Sequence, residues 1–558
     1  MPHQTESSPS AAWGSEWDAV ADVVVVGAGA AGLTAAVIAA SRGCSVIVLE
    51  KAEHPGGTTA KSSGTTWIPD NPLMRKLALP DEREPAIRLM ARASYPARYV
   101  PNAPQYGLTD HEYRLLAALY DHGRTAIEEL LAAEAFPVDE AAAPSFPDYH
   151  ADLPEDAAPV GRSMRIKLTD GHRPGIDPTG GQILIDAMLA ALARRGGEVR
   201  TGHRVVHLVK DSDGVIIGVE ARRRNTTILV GARRGVIFGT GGFLHDPALA
   251  SAFLRGPVLG GAAAETATGD FVRIGIEAGA MLGNMAQAWW DQVVVEDVVR
   301  NRSTIRDCVY PFGDSMVIVN RFGRRVMNEK MVYNERGQVH HYWDPDRREY
   351  PNLLLFMLFD DAVLQDPRPA RHRYPVPSPG DSRDHVISAP TWPDLAAAIS
   401  ARLADLADRC GSVTLHESFV DNLQQTIARF NDMARTGVDP EHHRGETPIE
   451  KAWATPPRHP DQPNPTMHPF ADTGPYHCII LGPGALDTKG GPVVDDRARV
   501  IGTDGQPIPR LYGAGNCIAS PTGQGYYGPG GTIGPAITFG YLAGADAASA
   551  QPYVPVFS

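Results

Sequence analysis

Two glycine-rich segments at opposite ends of this 558-residue chain restrict its fold more than any other feature. Near the start, Val23-Val24-Val25-Val26-Gly27-Ala28-Gly29-Ala30-Ala31-Gly32 joins an apolar β-branched run to a G-x-G-x-x-G spacing. Residues 33–41 favour helix, and a second apolar run at 46–49 ends on Glu50. A strand, turn, helix, strand unit of this kind puts Gly27 in the tight turn, lets backbone at Gly29 approach a pyrophosphate, and packs helix on strand at Gly32. The helix N-terminus then faces phosphate charge, and Glu50 stands where a carboxylate receives ribose hydroxyls. A bound dinucleotide is implied. Residues 23–40 also carry no charge and approach the length of a membrane span, but three glycines and the quick return to a second strand argue against one. Near the other end, Leu511-Tyr512-Gly513-Ala514-Gly515-Asn516 again runs into glycines, so the chain is expected to leave its cofactor site and return to it.

The length allows two or more domains, each with its own core. A formal charge of −13 and the lack of any Lys/Arg-rich block disfavour nucleic acid or an anionic membrane surface as partner. A small, weakly polar substrate fits better. The cysteines Cys44, Cys308, Cys410, Cys478 and Cys517 show no C-x-x-C or Cys/His ligand spacing, so neither structural zinc nor a disulfide framework is expected, and no metal. Residues 1–22 carry no positive segment followed by an apolar stretch, which makes the cytoplasm the expected compartment.

Small residues follow the first unit at Gly56-Gly57-Thr58-Thr59 and Ser62-Ser63-Gly64. Residues 71–131 read as helical, 180–195 as a helix, and 199–209, 215–221 and 227–230 as strands. Gly235-Val236-Ile237-Phe238-Gly239-Thr240-Gly241-Gly242 ends a further buried strand on a glycine turn. The character changes beyond about 283, with aromatics and Pro/Asp-rich loops, and 421–434 is again helical. The fold expected is α/β: a discontinuous Rossmann-like domain over 18–282 and 477–558, with an α+β substrate domain inserted at 283–476. His340-His341 and His442-His443 are expected on solvated loops; Trp289-Trp290 either line a pocket or fill core.

With these segments quoted, the chain resembles the flavoproteins of the fumarate reductase and 3-ketosteroid dehydrogenase superfamily from about 22 to 548. The carriers are the N-terminal fingerprint with Glu50, Gly56-Gly57-Thr58-Thr59, Gly239-Thr240-Gly241-Gly242, Thr268-Gly269-Asp270, Asp487-Thr488-Lys489-Gly490-Gly491 and Gly513-Ala514-Gly515-Asn516. The resemblance implies FAD, held by Gly27, Gly29, Ala30, Ala31, Gly32, Glu50, Lys51, Gly57, Thr58, Thr59, Ser63, Gly64, Val205, Thr240, Gly241, Asp270, Gly515, Asn516 and Ile533. Lys489 is placed by its motif near the flavin pyrimidine, its alternative being a loop lysine. In the dicarboxylate-reducing branch an arginine acid follows an Asn-Glu pair; here Asn328-Glu329-Lys330-Met331-Val332-Tyr333 has tyrosine instead. The C-terminal Gly525-Tyr526-Tyr527-Gly528-Pro529-Gly530-Gly531 has no arginine, so a bidentate carboxylate clamp is missing. Both changes look like the 3-ketosteroid Δ1-dehydrogenase pattern, which implies Tyr526 and Gly530 as the carbonyl-binding pair. Phe146-Pro147-Asp148-Tyr149 resembles, more loosely, the loop supplying that branch's remaining tyrosine.

Desaturating carbons next to a ketone removes an α-proton and delivers a β-hydride to flavin N5. The proton becomes acidic when negative charge on the ketone oxygen is stabilised, and one such donor is worth about 10² to 10³ in rate. These roles fall to the Tyr526 hydroxyl and Gly530 N–H, with Tyr333 as base and Tyr149 as its helper, since an unperturbed tyrosine has a pKa of about 10. The expected activity is Δ1-dehydrogenation of a 3-ketosteroid or similar small apolar ketone, with an external electron acceptor. The rivals are a Δ4-dehydrogenase, an enoate reductase, and a flavin-binding protein without turnover. No membrane span is expected, and peripheral association is left open.

Overall fold

The computed structural model describes residues 17–142, 146–173, 177–304, 308–368, 373–454 and 456–553. They pack as two compact units. The first takes in the described parts of Met1–Leu249, Thr266–Gln287 and Thr488–Ser558, the second those of Ala250–Glu265 and Ala288–Asp487.

In chain order the first unit presents β1 (Ala19–Val26), β2 (Val46–Leu49), β3 (Thr66–Trp67), β4 (Ser163–Met164), β5 (Glu198–Arg200), β6 (Arg204–Lys210), β7 (Ile216–Arg223) and β8 (Thr226–Phe238). Its main sheet runs Pro507–Gly513, β8, β1, β2, β5 with all neighbours parallel, and Arg499–Ile501 adds an antiparallel edge. β1 is apolar without alternation because both of its faces are buried in a parallel sheet; Val23, Val24 and Val25 are fully buried. The two strands expected at 227–230 and 235–238 are one continuous strand. β8 pairs antiparallel with β7 through Gly231 and parallel with β1 from Val230 onward, so its ladder passes from one partner to the other without a break.

Helix α1 (Ala30–Ser41) is apolar on every side because it lies in the core. The helix Ile533–Ser549 crosses it at glycines: a Cβ on Gly540 would meet Ala31 O at 2.5 Å, and one on Gly544 would meet Ala35 O at 2.5 Å. Among the described residues no helix is long and apolar enough to cross a membrane.

The second unit is built on a sheet in the order Ala288–Val294, Tyr476–Thr488, Leu355–Asp360, Met316–Val319. Gly260–Gly261 pairs with Gly484 and Ala485, which brings the preceding short segment into this unit. Helices Trp392–Cys410 and Phe419–Thr436 bury Leu395, Ile399, Leu403, Leu423, Ile427 and Phe430 against Phe356, Leu358 and Ile480. The Thr391 hydroxyl accepts from Asp394 N at the start of the first helix, and Gly437 ends the second in the left-handed region at φ 77°. Trp289 and Trp290 are buried core residues, and the five cysteines are buried with no disulfide among the described residues. His340 corrects the expectation of a solvated loop. It is fully buried, with Nδ1 against the carbonyls of Asn352 and Leu353, and burial drives its pKa down to about 3.

Candidate active site

The residues that follow β1 set the geometry of the first unit's site. Gly27 has φ +99°, and a Cβ there would lie 2.5 Å from Gly239 O, so only glycine fits the turn. A Cβ on Gly32 would lie 2.0 Å from Gly27 O. Gly515 has φ +77°, and its Cβ would meet that of Ala31 at 2.9 Å. Three segments far apart in sequence, at 27–32, 239–241 and 513–516, thus meet at one helix N-terminus. Gly29 is the N-cap of α1, makes no side-chain cap bond, and the first turn carries no acidic residue. This is the electrostatic setting an anion requires.

The Glu50 carboxylate, at the end of β2, is held by backbone: Oε2 accepts from Ala28 N at 2.8 Å and Oε1 from Ala52 N at 2.8 Å. Thr59, in α2 (Gly57–Lys61), accepts from Ala30 N at 3.3 Å, and Thr58 lies beside it in the same helix. Lys51 Nζ donates to Asp270 Oδ2 and Thr268 Oγ1, both at 2.8 Å, and Arg204 pairs with Asp270 Oδ1 at 2.7 Å, which sets Val205 of β6 beside this cluster. Ser63 and Gly64 lie on a neighbouring loop, where a Cβ on Gly64 would meet Gly180 at 2.7 Å. Thr240 and Gly241 follow β8, Asn516 sits in the single turn Gly515–Cys517, and Ile533 opens the last helix. Glycine turns at close backbone approaches, a helix start without acidic residues and a buried carboxylate at the strand end together fit a dinucleotide.

The segment 525–531 lies in the same unit. Gly530 takes φ +90°, and a Cβ there would meet Thr65 O at 2.4 Å, so the position admits only glycine. Its carbonyl accepts from Trp67 N at 3.2 Å and Gly534 N at 3.0 Å, while its own N–H makes no hydrogen bond among the described residues. Tyr526 is buried; its ring is met by Gly531, whose Cβ would come within 2.8 Å, and by Tyr149 edge-on at 5.4 Å. Tyr527 packs, its ring 4.8 Å from Trp67 and its hydroxyl 2.6 Å from Ser94 Oγ. Lys489 is not a loop lysine on the surface. It is fully buried and donates to Gly525 O at 2.8 Å, directly before Tyr526.

Tyr333 belongs to the second unit, where it opens the short helix Tyr333–Gln338 and is buried. Its ring stands edge-on to Tyr310 at 6.0 Å, and Tyr310 stands on Trp453 at 5.2 Å. Gly337 seats the helix on the strand Ala288–Val294, where a Cβ would lie 2.7 Å from Asp291 N. The fully buried Arg336 ties the arrangement together through Met331 O at 2.7 Å, Val309 O at 2.6 Å and Gln292 Oε1 at 2.5 Å; burial lowers its pKa to about 10. Arg336 escaped the sequence reading, although its position three residues after Tyr333 puts both on one helical face. The buried cluster of Arg162 with Asp81, Asp148 and Asp156 was missed as well, and apart from Asp148 in the Phe-Pro-Asp-Tyr loop no local pattern marks it.

The fold and the dinucleotide cradle define a flavoprotein oxidoreductase, and the chain belongs to the FAD binding domain family, whose model matches residues 22–533. It binds FAD. The chain is 31% identical to a 3-oxosteroid 1-dehydrogenase of Mycobacterium tuberculosis, over 94% of this chain and 97% of that protein. It is 30% identical to a 4-oxocyclohexanecarboxylate 2-dehydrogenase of Sinomonas cyclohexanicum, over 94% and 92%. Its fold is similar to that of the 3-ketosteroid delta1-dehydrogenase of Sterolibacterium denitrificans, solved with 1,4-androstadiene-3,17-dione, at a TM-score of 0.77 and 24% identity over 95% of this chain and 99% of that one.

Proposed function

We propose that this protein is an FAD-dependent 3-ketosteroid Δ1-dehydrogenase, and that Tyr526 and Gly530 hold the ketone oxygen. The observation that carries this reading is Gly530: a glycine-only backbone position whose N–H has no acceptor among the described residues, next to the buried hydroxyl-bearing Tyr526. Two donors converging on one oxygen are what an enolate needs. The two relatives named above are dehydrogenases of cyclic ketones by their names, which supports the same substrate class here.

In this mechanism Tyr526 Oη–H and Gly530 N–H donate to the ketone oxygen, so charge that builds there as the α-proton leaves is met by preorganised donors. The base that takes the α-proton is assigned to Tyr333. FAD, when bound, would supply the acceptor for the β-hydride. Its adenosine and pyrophosphate would be held by Glu50, the start of α1 and the glycines at 27–32 and 515. Burial of Tyr526, Tyr149 and Tyr333 keeps water from these donors and the base.

The test is anaerobic mixing of the yellow protein with a saturated 3-ketosteroid. Bleaching of the flavin with a 1,2-unsaturated product is expected. A solely 4,5-unsaturated product would move the assignment to a Δ4-dehydrogenase, and bleaching only with 4-oxocyclohexanecarboxylate would replace the steroid by a monocyclic keto acid. Tyr526→Phe should lower kcat by about 10² to 10³ while retaining FAD; full turnover removes it from the mechanism.

A further inference from the structure

We propose that Arg162, acting through Asp148, is a positioning residue that holds Tyr149 and the Tyr526–Gly530 segment in one geometry; this rests on the role just proposed for that segment. Arg162 is surrounded by carboxylates. Its Nε and Nη2 bond Asp81 Oδ2 and Oδ1 at 2.9 Å each, and its Nη1 bonds Asp148 Oδ2 at 2.6 Å and Asp156 Oδ1 at 3.1 Å. Its main-chain N–H donates to Asp148 Oδ1 at 3.0 Å, so Asp148 is gripped at both oxygens by one residue. No side chain in this cluster is more than 6% exposed.

A buried ionic group is often no more stabilising than apolar residues of the same volume, so what it does for geometry matters more than what it adds to stability. Here the geometry reaches the proposed site along two arms. Through the side chain, Arg162 fixes Asp148 and with it Tyr149, whose N–H donates to Tyr527 O at 2.8 Å and whose ring meets Tyr526 edge-on. Along the chain, Arg162 leads into β4, where Ser163 Oγ donates to Pro529 O at 2.6 Å and pairs with Trp67 of β3, whose N–H holds Gly530 O. Gly528 lies where the arms meet, with room for no Cβ: one would come 3.0 Å from Asp148 Oδ1 and 2.7 Å from the Trp67 ring. Both arms therefore converge on residues 526–530 from one residue, Arg162.

The test uses the full FAD-loaded chain. Asp148→Asn keeps the shape but replaces one acceptor by an NH₂ that faces the guanidinium. Exchange of the amides in residues 146–150 should speed by about tenfold or more. Turnover per bound FAD should fall by about tenfold with KM changed far less, because loosened donors are felt mainly in the transition state. Unchanged exchange, or unchanged turnover, in Asp148→Asn would overturn the positioning role. Should Asp148→Asn not fold, Asp148→Glu, which keeps the charge but shifts it by a methylene, is read in the same way. A wild-type enzyme that dehydrogenates no cyclic ketone sinks the function proposed above; the exchange measurement still decides whether Asp148 holds the segment.

Discussion

Each unit of this molecule buries an ionic cluster, and the two differ in their ratio of guanidinium groups to carboxylates. In the first, one guanidinium, Arg162, is shared by Asp81, Asp148 and Asp156. In the second, one carboxylate, Glu329, is shared by Arg325 at 2.7 Å and Arg444 at 3.3 Å, and Arg325 also reaches Asp439 at 2.7 Å. Burial pushes both carboxylates upward, because it penalises the charged form. For Asp148 burial prevails over the attraction of Arg162, and the pKa is raised. For Glu329 the two guanidinium groups outweigh burial and hold the pKa down at about 2. Equal burial thus gives opposite shifts, and the ratio of counter-charges decides the sign.

The largest effect expected from this contrast is on stability. Glu329→Gln leaves Arg444 without its carboxylate and Arg325 with Asp439 at 2.7 Å and Glu441 at 3.7 Å, and should cost about 3–5 kcal/mol in denaturant unfolding at neutral pH. A cost below about 1 kcal/mol would mean that the surrounding carbonyls satisfy both arginines unaided. Acid provides a second, slightly smaller effect. Because the folded pKa of Glu329 lies below its ordinary 4.5, its contribution is complete above pH 4.5 and lost as pH falls toward 2. That interval corresponds to roughly 3 kcal/mol, and Glu329→Gln should abolish this part of the pH dependence. Asp148 has the reverse sign: its contribution is present below the ordinary carboxylate range and fades as pH rises through its raised pKa. A pH titration of Asp148→Asn that steepened the loss of stability at higher pH would contradict this. The smallest effect belongs to the half-exposed pair of Arg42 and Glu129, 3.0 Å apart, where Arg42→Gln should change stability by less than about 1 kcal/mol. A larger value there would show that burial is not what separates the two clusters from surface pairs.

Much of the first unit was legible in the sequence because its signals are contiguous. Residues 23–50 contain a whole strand, turn, helix and strand, so apolar runs, glycine spacing and a terminal acid suffice to draw them. The long strand β8 was read as two because its middle, Gly231-Ala232-Arg233-Arg234, is locally unlike a strand; a change of pairing partner keeps it extended. His340 was misjudged for a similar reason. Its burial depends on the carbonyls of Asn352 and Leu353, which no pattern around residue 340 announces. At the proposed site, Tyr526 and Gly530 could be named from a five-residue match, whereas the Cβ clash that requires glycine at 530 comes from Thr65.

The sequence by itself determined the strand, turn, helix and strand over residues 23–50, from which a dinucleotide at the start of α1 is expected, since turn chemistry and strand periodicity act over neighbouring residues. It also excluded a carboxylate clamp, because the arginines are absent from 525–531. Only the tertiary structure decided which charges stand behind the tyrosines. Asp81, Asp148 and Arg162 become partners through folding, and the raised pKa of Asp148 follows from its burial, a quantity that exists only once the chain has packed.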